Sequence, residues 1–262
     1  MKLSIITINY NNVSGLSKTV ESIVPHLSKD MEYLVIDGGS TDGSVDIIEK
    51  NKDKFGYCVS EPDSGIYNAM NKGVRQARGE YLLFINSGDT IRPDAELKAI
   101  INLLGGEDII YFDLEIADLT AGNSYIKKYP DQPDFKYFVG DTLPHPGSFI
   151  RKKLLESYGF YSENFKIVAD WAFFMDTICI GKSTYKHIDS YFSTFYLDGI
   201  SSDEKNRQLL LDERNAHIEK TYSVFYSFYK DWCDSKMELY KLKISTSVRY
   251  LKKLGFLKWL KI

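Results

Sequence analysis

The chain has 262 residues, 44% of them hydrophobic and 14% aromatic, enough to bury a sizeable core and to exclude a disordered polymer. Its net charge of -3 argues against a nucleic-acid binder, but the charge is uneven: residues 239–262 hold seven Lys or Arg and no acid, leaving 26 basic against 36 acidic residues in 1–238. Cys58, Cys179 and Cys233 lie far apart without a C-x-x-C pair, so neither a disulfide framework nor a zinc cluster is expected, and a reducing cytoplasmic compartment is.

The opening MKLSIITINYNN turns polar too soon for a signal peptide, and no run of about 18 apolar residues predicts a spanning helix. Leu3 to Ile8 reads as a strand buried on both faces. Ser14 then reads as an N-cap, with Leu16, Val20, Ile23, Val24 and Leu27 at helical spacing behind it. Tyr33 to Ile36, Tyr57 to Val59 and Tyr81 to Ile85 predict three further strands. Helices between them are predicted by Val45, Ile47 and Ile48, and by Ile66, Ala69, Met70, Val74 and Ala77. Alternation at this short pitch demands parallel strands with crossover helices, a doubly wound α/β layer.

Beyond Pro93 the rhythm loosens. Ala95 to Leu104 reads as helix, Ile109 to Phe112 and Ser148 to Ile150 as strands, and Asp118 to Thr142 as irregular. Ala169 to Ile180 predicts a buried helix, Lys186 to Leu197 an aromatic-rich strand pair, and Glu204 to Tyr229 a long helix whose aromatic residues from Tyr222 onward pack into a core. At the end, Val248, Leu251, Leu254 and Leu257 recur every third residue among Arg249, Lys252 and Lys253. That pattern predicts an amphipathic helix, either lying on an anionic membrane surface or packing on the protein's own core.

Open parallel sheets bind ligands beyond the carboxyl ends of their strands. The residues there are Thr7-Ile8-Asn9-Tyr10-Asn11, Asp37-Gly38-Gly39-Ser40-Thr41-Asp42, Glu61-Pro62-Asp63-Ser64-Gly65 and Asn86-Ser87-Gly88-Asp89. Neither G-x-G-x-x-G nor G-x-x-x-x-G-K-[ST] is present, which excludes the common dinucleotide and P-loop sites. Asp37 and Asp63 suit the NH groups of a base and the hydroxyls of a ribose, although both segments also fit ordinary Asx turns. Lys72 and Arg75 read as a solvated helix face.

SIITINYNN, YLVIDGGSTDGS, SEPDSGIYNAMNKGVRQARGEYLLFINSGD, HPGSFIRKKLLE and VADWAFFMD, in this order, resemble the inverting nucleotide-sugar glycosyltransferases of family 2, which have the GT-A fold. The resemblance implies an α/β protein of GT-A type: a Rossmann-like, mostly parallel sheet flanked by helices, with a helical C-terminal extension. It implies a transferase domain at 1–202, with a nucleotide-binding half at 1–92 and an acceptor half at 93–202, followed by the extension 203–262. By resemblance Thr7, Asn9, Tyr10, Asp37, Asp63 and Asn71 contact the nucleotide. FINSGD stands where the family writes D-x-D, so Asp89 is expected to bind Mg2+ or Mn2+, with Asn86 and Gly88 in place of carboxylates. Asp170 is expected to be the catalytic base, with a helix N-cap as its alternative role. His145 and Ser201 are expected to contact acceptor or phosphate, His145 alternatively being structural.

The activity implied is transfer of a hexosyl or N-acetylhexosaminyl group from a nucleoside-diphosphate donor, most simply UDP-linked, to a glycan or lipid-linked acceptor in surface polysaccharide biosynthesis. The enzyme is expected in the cytoplasm, peripherally on the inner leaflet through 239–262. A non-catalytic nucleotide-sugar-binding or scaffold protein of the same fold is the alternative.

Overall fold

The structure, a computed structural model, describes residues 1–118, 121–197, 199, 203–245, 248 and 250. Strands β1 (Leu3–Asn9), β2 (Met31–Asp37), β3 (Tyr57–Ser60) and β4 (Tyr81–Phe84) alternate with helices α1 (Val13–Ile23), α2 (Ser44–Lys50) and α3 (Ile66–Gln76). The four strands are parallel, in the order β3-β2-β1-β4. β1, β2 and β4 are buried at every position, as mostly apolar strands covered on both faces require. Successive residues of β1 serve opposite layers. Leu3 and Ile5 join Leu16 and Val20 of α1 in the main core, whereas Ile6 meets α3. There Gly73 permits the approach, since a Cβ on it would stand 2.7 Å from Ile6 Cγ2. The cap of α1 is Asn12 rather than Ser14: its Oδ1 accepts from Gly15 N at 3.1 Å, and the helix starts one residue before Ser14.

The second half is mixed. It contains β5 (Thr90–Ile91), α4 (Leu97–Leu103), β6 (Ile109–Asp118), β7 (Asn123–Lys127), α5 (Phe135–Gly140), β8 (Ser148–Arg151), α6 (Lys152–Ser157), α7 (Ala169–Cys179) and β9 (Tyr185–Tyr196). β8 runs antiparallel between β4 and β6, β9 runs parallel to β6, and β5 is antiparallel to β9. Two expectations need correction here. The stretch expected to be irregular forms β7, antiparallel to β6, and α5, capped by Asp134 Oδ1 accepting from Tyr137 N at 2.8 Å. The expected strand pair is one strand, β9, whose register against β6 shifts around Asp113. The buried Asp113 pins the neighbouring loop: it meets His187 Nε2 at 3.0 Å and Lys128 Nζ at 2.8 Å, and His187 Nδ1 meets Asp131 at 2.7 Å.

The expected long helix is broken. After a short turn at Glu204–Asn206 come α8 (Arg207–Thr221) and α9 (Ser223–Ile244), separated at Tyr222. The chain divides into two compact units, Met1–Glu213 and Arg214–Ile262, the division falling within α8. Most of the amphipathic pattern expected from Val248 onward lies outside the described residues. No helix among the described residues is long and apolar enough to cross a membrane.

At the amino edge of the sheet, Glu32 of β2 is buried and accepts from Ser4 Oγ at 2.6 Å, Arg78 N at 2.5 Å and Arg78 Nε at 2.8 Å. Ser4 Oγ in turn accepts from Gly79 N at 2.8 Å, in a contact so close that a Cβ on Gly79 would lie 2.4 Å from Ser4 N. Burial raises the Glu32 pKa, but the hydrogen bonds from Ser4 and Arg78 outweigh it and hold the carboxyl below its ordinary value. A depressed folded-state pKa adds stability that is complete above the unfolded value and is lost as pH falls through the folded one. Glu32→Gln should therefore cost about 2 kcal/mol at neutral pH. It should also flatten the acid limb of a Tm-versus-pH curve, and an acid limb identical to the parent's would assign that limb to other groups.

Candidate active site

A cavity of about 840 Å³ opens beyond the carboxyl ends of the parallel strands. It lies at the switch point of the sheet, where the chain has stepped outward from β1 to β3 and returns to β4 on the other side of β1. Asn9, Asp37 and Ser60 end three adjacent strands and are register partners in one row. The Asp37 carboxylate, fully buried, ties the row together: it accepts from Asn9 Nδ2 at 2.7 Å, Ser60 Oγ at 2.6 Å, Ser40 N at 2.9 Å and Ser40 Oγ at 2.6 Å. Burial pushes its pKa up, but the donors from Ser40, Ser60 and Asn9 prevail and hold it below the usual carboxylate value.

Asp37, expected to contact the nucleotide, is turned inward here and gives its acceptors to Asn9, Ser40 and Ser60, with Gly38 and Gly39 on the cavity wall. Asp63 is the carboxylate that reaches the wall. The missing side chain of Gly38 admits it, since a Cβ there would lie 3.1 Å from Asp63 Oδ2 and from the Tyr10 ring. Lys72 is not the solvated residue expected: its Nζ stands 2.6 Å from Asp63, 2.8 Å from Glu61 and 3.1 Å from the Pro62 carbonyl. Asn9 and the exposed Tyr10 also line the cavity, and Asn9 Oδ1 is buried without a hydrogen-bond partner. Thr7 does not reach the wall. It is buried beneath, its hydroxyl donating to Ile85 O at 2.6 Å and pairing with Tyr33 OH at 3.0 Å.

Asp89 lines the cavity from the turn after β4, only 6% exposed, with Oδ1 accepting from Tyr196 N at 3.3 Å and its carbonyl accepting from Thr19 Oγ1 at 2.7 Å. Asn86 lines it too, and its Oδ1 is buried without a partner. Asp170 stands in the first turn of α7, past the cap residue Val168, so the N-cap alternative does not hold. Its Oδ1 accepts from Tyr67 OH at 2.8 Å. Burial first, and then the Asp170 charge, push the Tyr67 pKa well above its ordinary value, so the phenol stays a proton donor. His145 is on the wall, stacked on Phe84 with centroids 4.7 Å apart and with Nε2 3.0 Å from Tyr161 OH. Burial lowers its pKa, so the ring is neutral at pH 7. Ser201 lies outside the described residues.

Asn71 is not on the wall either. Its Oδ1 accepts from Tyr161 N at 3.0 Å, and its Nδ2 donates to Tyr161 O and Glu163 Oε1, both at 2.9 Å. It is a clamp on the segment that leads into α7. Asn68 adds a bond to Glu163 at 2.9 Å, and Glu213 takes the N–H groups of Lys166 and Ile167, two wall residues, at 2.7 and 3.0 Å. Sequence reading missed Tyr67 and Glu213. Only the placement of Tyr67 at one helical turn from Asn71 on α3 signals the former, and nothing local signals the latter.

Residues 4–159 match the family model described as "Glycosyl transferase family 2". This chain belongs to glycosyl transferase family 2. It is 33% identical over 176 residues to an uncharacterized glycosyltransferase of Mycobacterium tuberculosis, covering 66% of this chain and 67% of that protein. It is 29% identical over 178 residues to a PGL/p-HBAD biosynthesis glycosyltransferase of Mycobacterium bovis, at 65% and 67% coverage. Among solved structures, S. aureus TarS 1-349 in complex with UDP superposes with a TM-score of 0.59 at 19% identity, over 87% of this chain and 75% of that one. The mannosyltransferase PcManGT from Pyrobaculum calidifontis, in complex with GDP-Man and Mn2+, gives 0.54 at 16% identity, over 77% and 58%. The fold of this family 2 chain is accordingly the GT-A type, a curled α/β sheet flanked by helices with a helical C-terminal part.

In this family 2 site the charged wall residues among those described are Asp63, Asp89, Asp170 and Lys166. No three His, Cys, Asp or Glu residues stand together as a metal cluster among the described residues. The Asp89 carboxylate and the unpartnered Asn86 Oδ1 are hard oxygen donors, a set that fits a divalent cation sharing its shell with a diphosphate. The Asp37 knot has a measurable signature: Asp37→Asn should lower unfolding free energy by about 3 kcal/mol in urea titrations, while the folded fraction keeps most of its affinity for UDP in calorimetry. Unchanged stability with lost UDP affinity would return Asp37 to the ligand.

Proposed function

We propose that this chain transfers a hexosyl or N-acetylhexosaminyl group from a UDP-linked donor to a glycan or lipid-linked acceptor, with inversion at the anomeric carbon. The observation that carries this reading is that Asp89, at the sheet switch point, and Asp170, with one oxygen held by Tyr67, line a single cavity. The names of the relatives support it: one is a PGL/p-HBAD biosynthesis glycosyltransferase, and two neighbours are in complex with UDP or GDP-Man.

On this reading Asp63, Tyr10 and Asn9 take the nucleoside, and the unpartnered Asn9 Oδ1 gains a donor from it. Asp170 accepts the proton of the acceptor hydroxyl through Oδ2 while Tyr67 fixes Oδ1. The acceptor oxygen forms its bond to the anomeric carbon as the bond from that carbon to the diphosphate oxygen breaks, and UDP departs. Mg2+ or Mn2+, held by Asp89 and Asn86, neutralises charge on the leaving diphosphate when bound. His145, neutral, is a hydrogen-bonding wall for acceptor or phosphate. The reaction takes place on the cytoplasmic side of a membrane, where the basic segment 239–262 is drawn to anionic lipid by about 1 kcal/mol for each Lys or Arg near the surface.

Asp170→Asn should lower kcat by about 100-fold or more with donor affinity nearly intact. Release of UDP from a UDP-sugar panel with Mn2+ is the readout, and near-normal turnover removes Asp170 from the mechanism. No turnover by the parent chain on any donor, despite tight binding, would favour a nucleotide-sugar-binding protein instead. Calorimetry of Mn2+ gives an independent check on Asp89. Mn2+ should bind weakly alone and more tightly with UDP present, and Asp89→Ala should abolish the difference; equal Mn2+ affinity with and without UDP would place its ligands elsewhere.

A further inference from the structure

The aromatic run from Tyr222 to Tyr229 reads in the sequence as core packing, and the structure corrects this for Phe225 and Phe228, while Tyr226 and Tyr229 are half-buried. Tyr222 is buried, but on α9 Val224, Phe225 and Phe228 are 64%, 67% and 71% exposed. Trp232 and Leu239 further along are 45% and 43% exposed. At helical periodicity Phe225, Phe228, Trp232 and Leu239 share one stripe, with Val224 at its edge. Of the acids of the helix, Asp234 and Glu238 lie away from the stripe, and Asp231 borders it beside Val224. Lys236 lies on the apolar stripe with its Nζ 5.5 Å from the Trp232 ring centroid. Aromatic rings beside a lysine that can extend its ammonium to water suit a lipid–water boundary better than a dry protein core.

We propose that this stripe of α9 is a docking surface for an anionic lipid bilayer, with the helix lying in the plane of the surface and Asp234 and Glu238 turned to water. The choice of occupant follows from charge. α9 runs directly into the segment 239–262 with its seven basic residues and no acid, which attracts anionic headgroups and repels a second copy of itself. The basic segment supplies a screened, long-range attraction, and the stripe supplies apolar insertion that salt does not screen. The proposal deepens the reading of a lipid-linked acceptor by naming the element that contacts the lipid.

The test uses the full-length chain and vesicles of equal parts phosphatidylcholine and phosphatidylglycerol. Co-sedimentation of the parent chain should weaken with salt but keep a salt-resistant fraction. The double variant Phe225→Ser, Phe228→Ser should bind about tenfold or more weakly and lose that fraction. Equal binding by parent and variant, or no binding by the parent at low salt, overturns the proposal. So does a parent that sediments as an oligomer without vesicles while the variant is monomeric, because the face would then join copies. UDP release measured in parallel on a soluble acceptor separates the two readings. Turnover by a parent chain that fails to bind vesicles counts against docking alone, whereas vesicle binding by the parent without turnover on any donor counts against the transferase reading alone.

Discussion

The site depends on one buried carboxylate. Asp37 sits in register between Asn9 and Ser60, so a single charged group joins the ends of three parallel strands and the loop through Ser40. An ionised carboxylate out of water is costly unless its lone pairs are occupied, and four donors occupy them here. Because those donors come from different strand ends, satisfying the charge fixes where each following loop begins. Gly38 is left at the wall and Asp63 beside it. The residue that looks most like a ligand contact in the sequence is the one that shapes this edge of the cavity.

A second layer of constraint runs along α3. Tyr67, Asn68 and Asn71 project toward the segment 161–170 and hold, respectively, a side chain, a loop carboxylate and a main-chain peptide. Under them lies an aromatic cluster in which Phe84, His145, Tyr161 and Phe173 meet at centroid distances between 4.7 and 5.8 Å. Rings of this size resist small displacements, so Asp170 is set by packing below it and by Tyr67 beside it. Glu213 adds the last restraint, gripping two consecutive peptide N–H groups just ahead of α7.

The parallel half of the fold was legible because β1, β2 and β4 bury every residue, and such strands write themselves as mostly apolar runs. β7 was not, since its first three residues are exposed and polar or aromatic, the pattern of a loop. β9 read as two strands because Asp189 and Ser190 break its alternation; they are the residues absorbed where its register against β6 slips, and Asp189 is held there by Lys128. The strand and helix ends read from the sequence put Asp63, Asp89, His145 and Asp170 on the cavity wall. The sequence could not tell which way Thr7, Asp37 and Asn71 point. For Asp37 that is decided by Ser40 together with partners 23 and 28 residues away, and for Asn71 by partners 90 and 92 away.

The hydrogen bonds at the two ends of the cavity differ greatly in sequence separation. The bonds to Asp37 join residues at most 28 apart, whereas Tyr67 and Asp170 are separated by 103 residues and Asp89 and Tyr196 by 107. Closing a loop of the latter length has a larger entropic cost and waits for more of the chain. During synthesis the edge held by Asp37 can therefore be complete while Tyr196 is still untranslated. A chain interrupted in that interval would have a formed sheet edge with an unfinished cavity wall, so the closed cavity is the late product of the nascent protein.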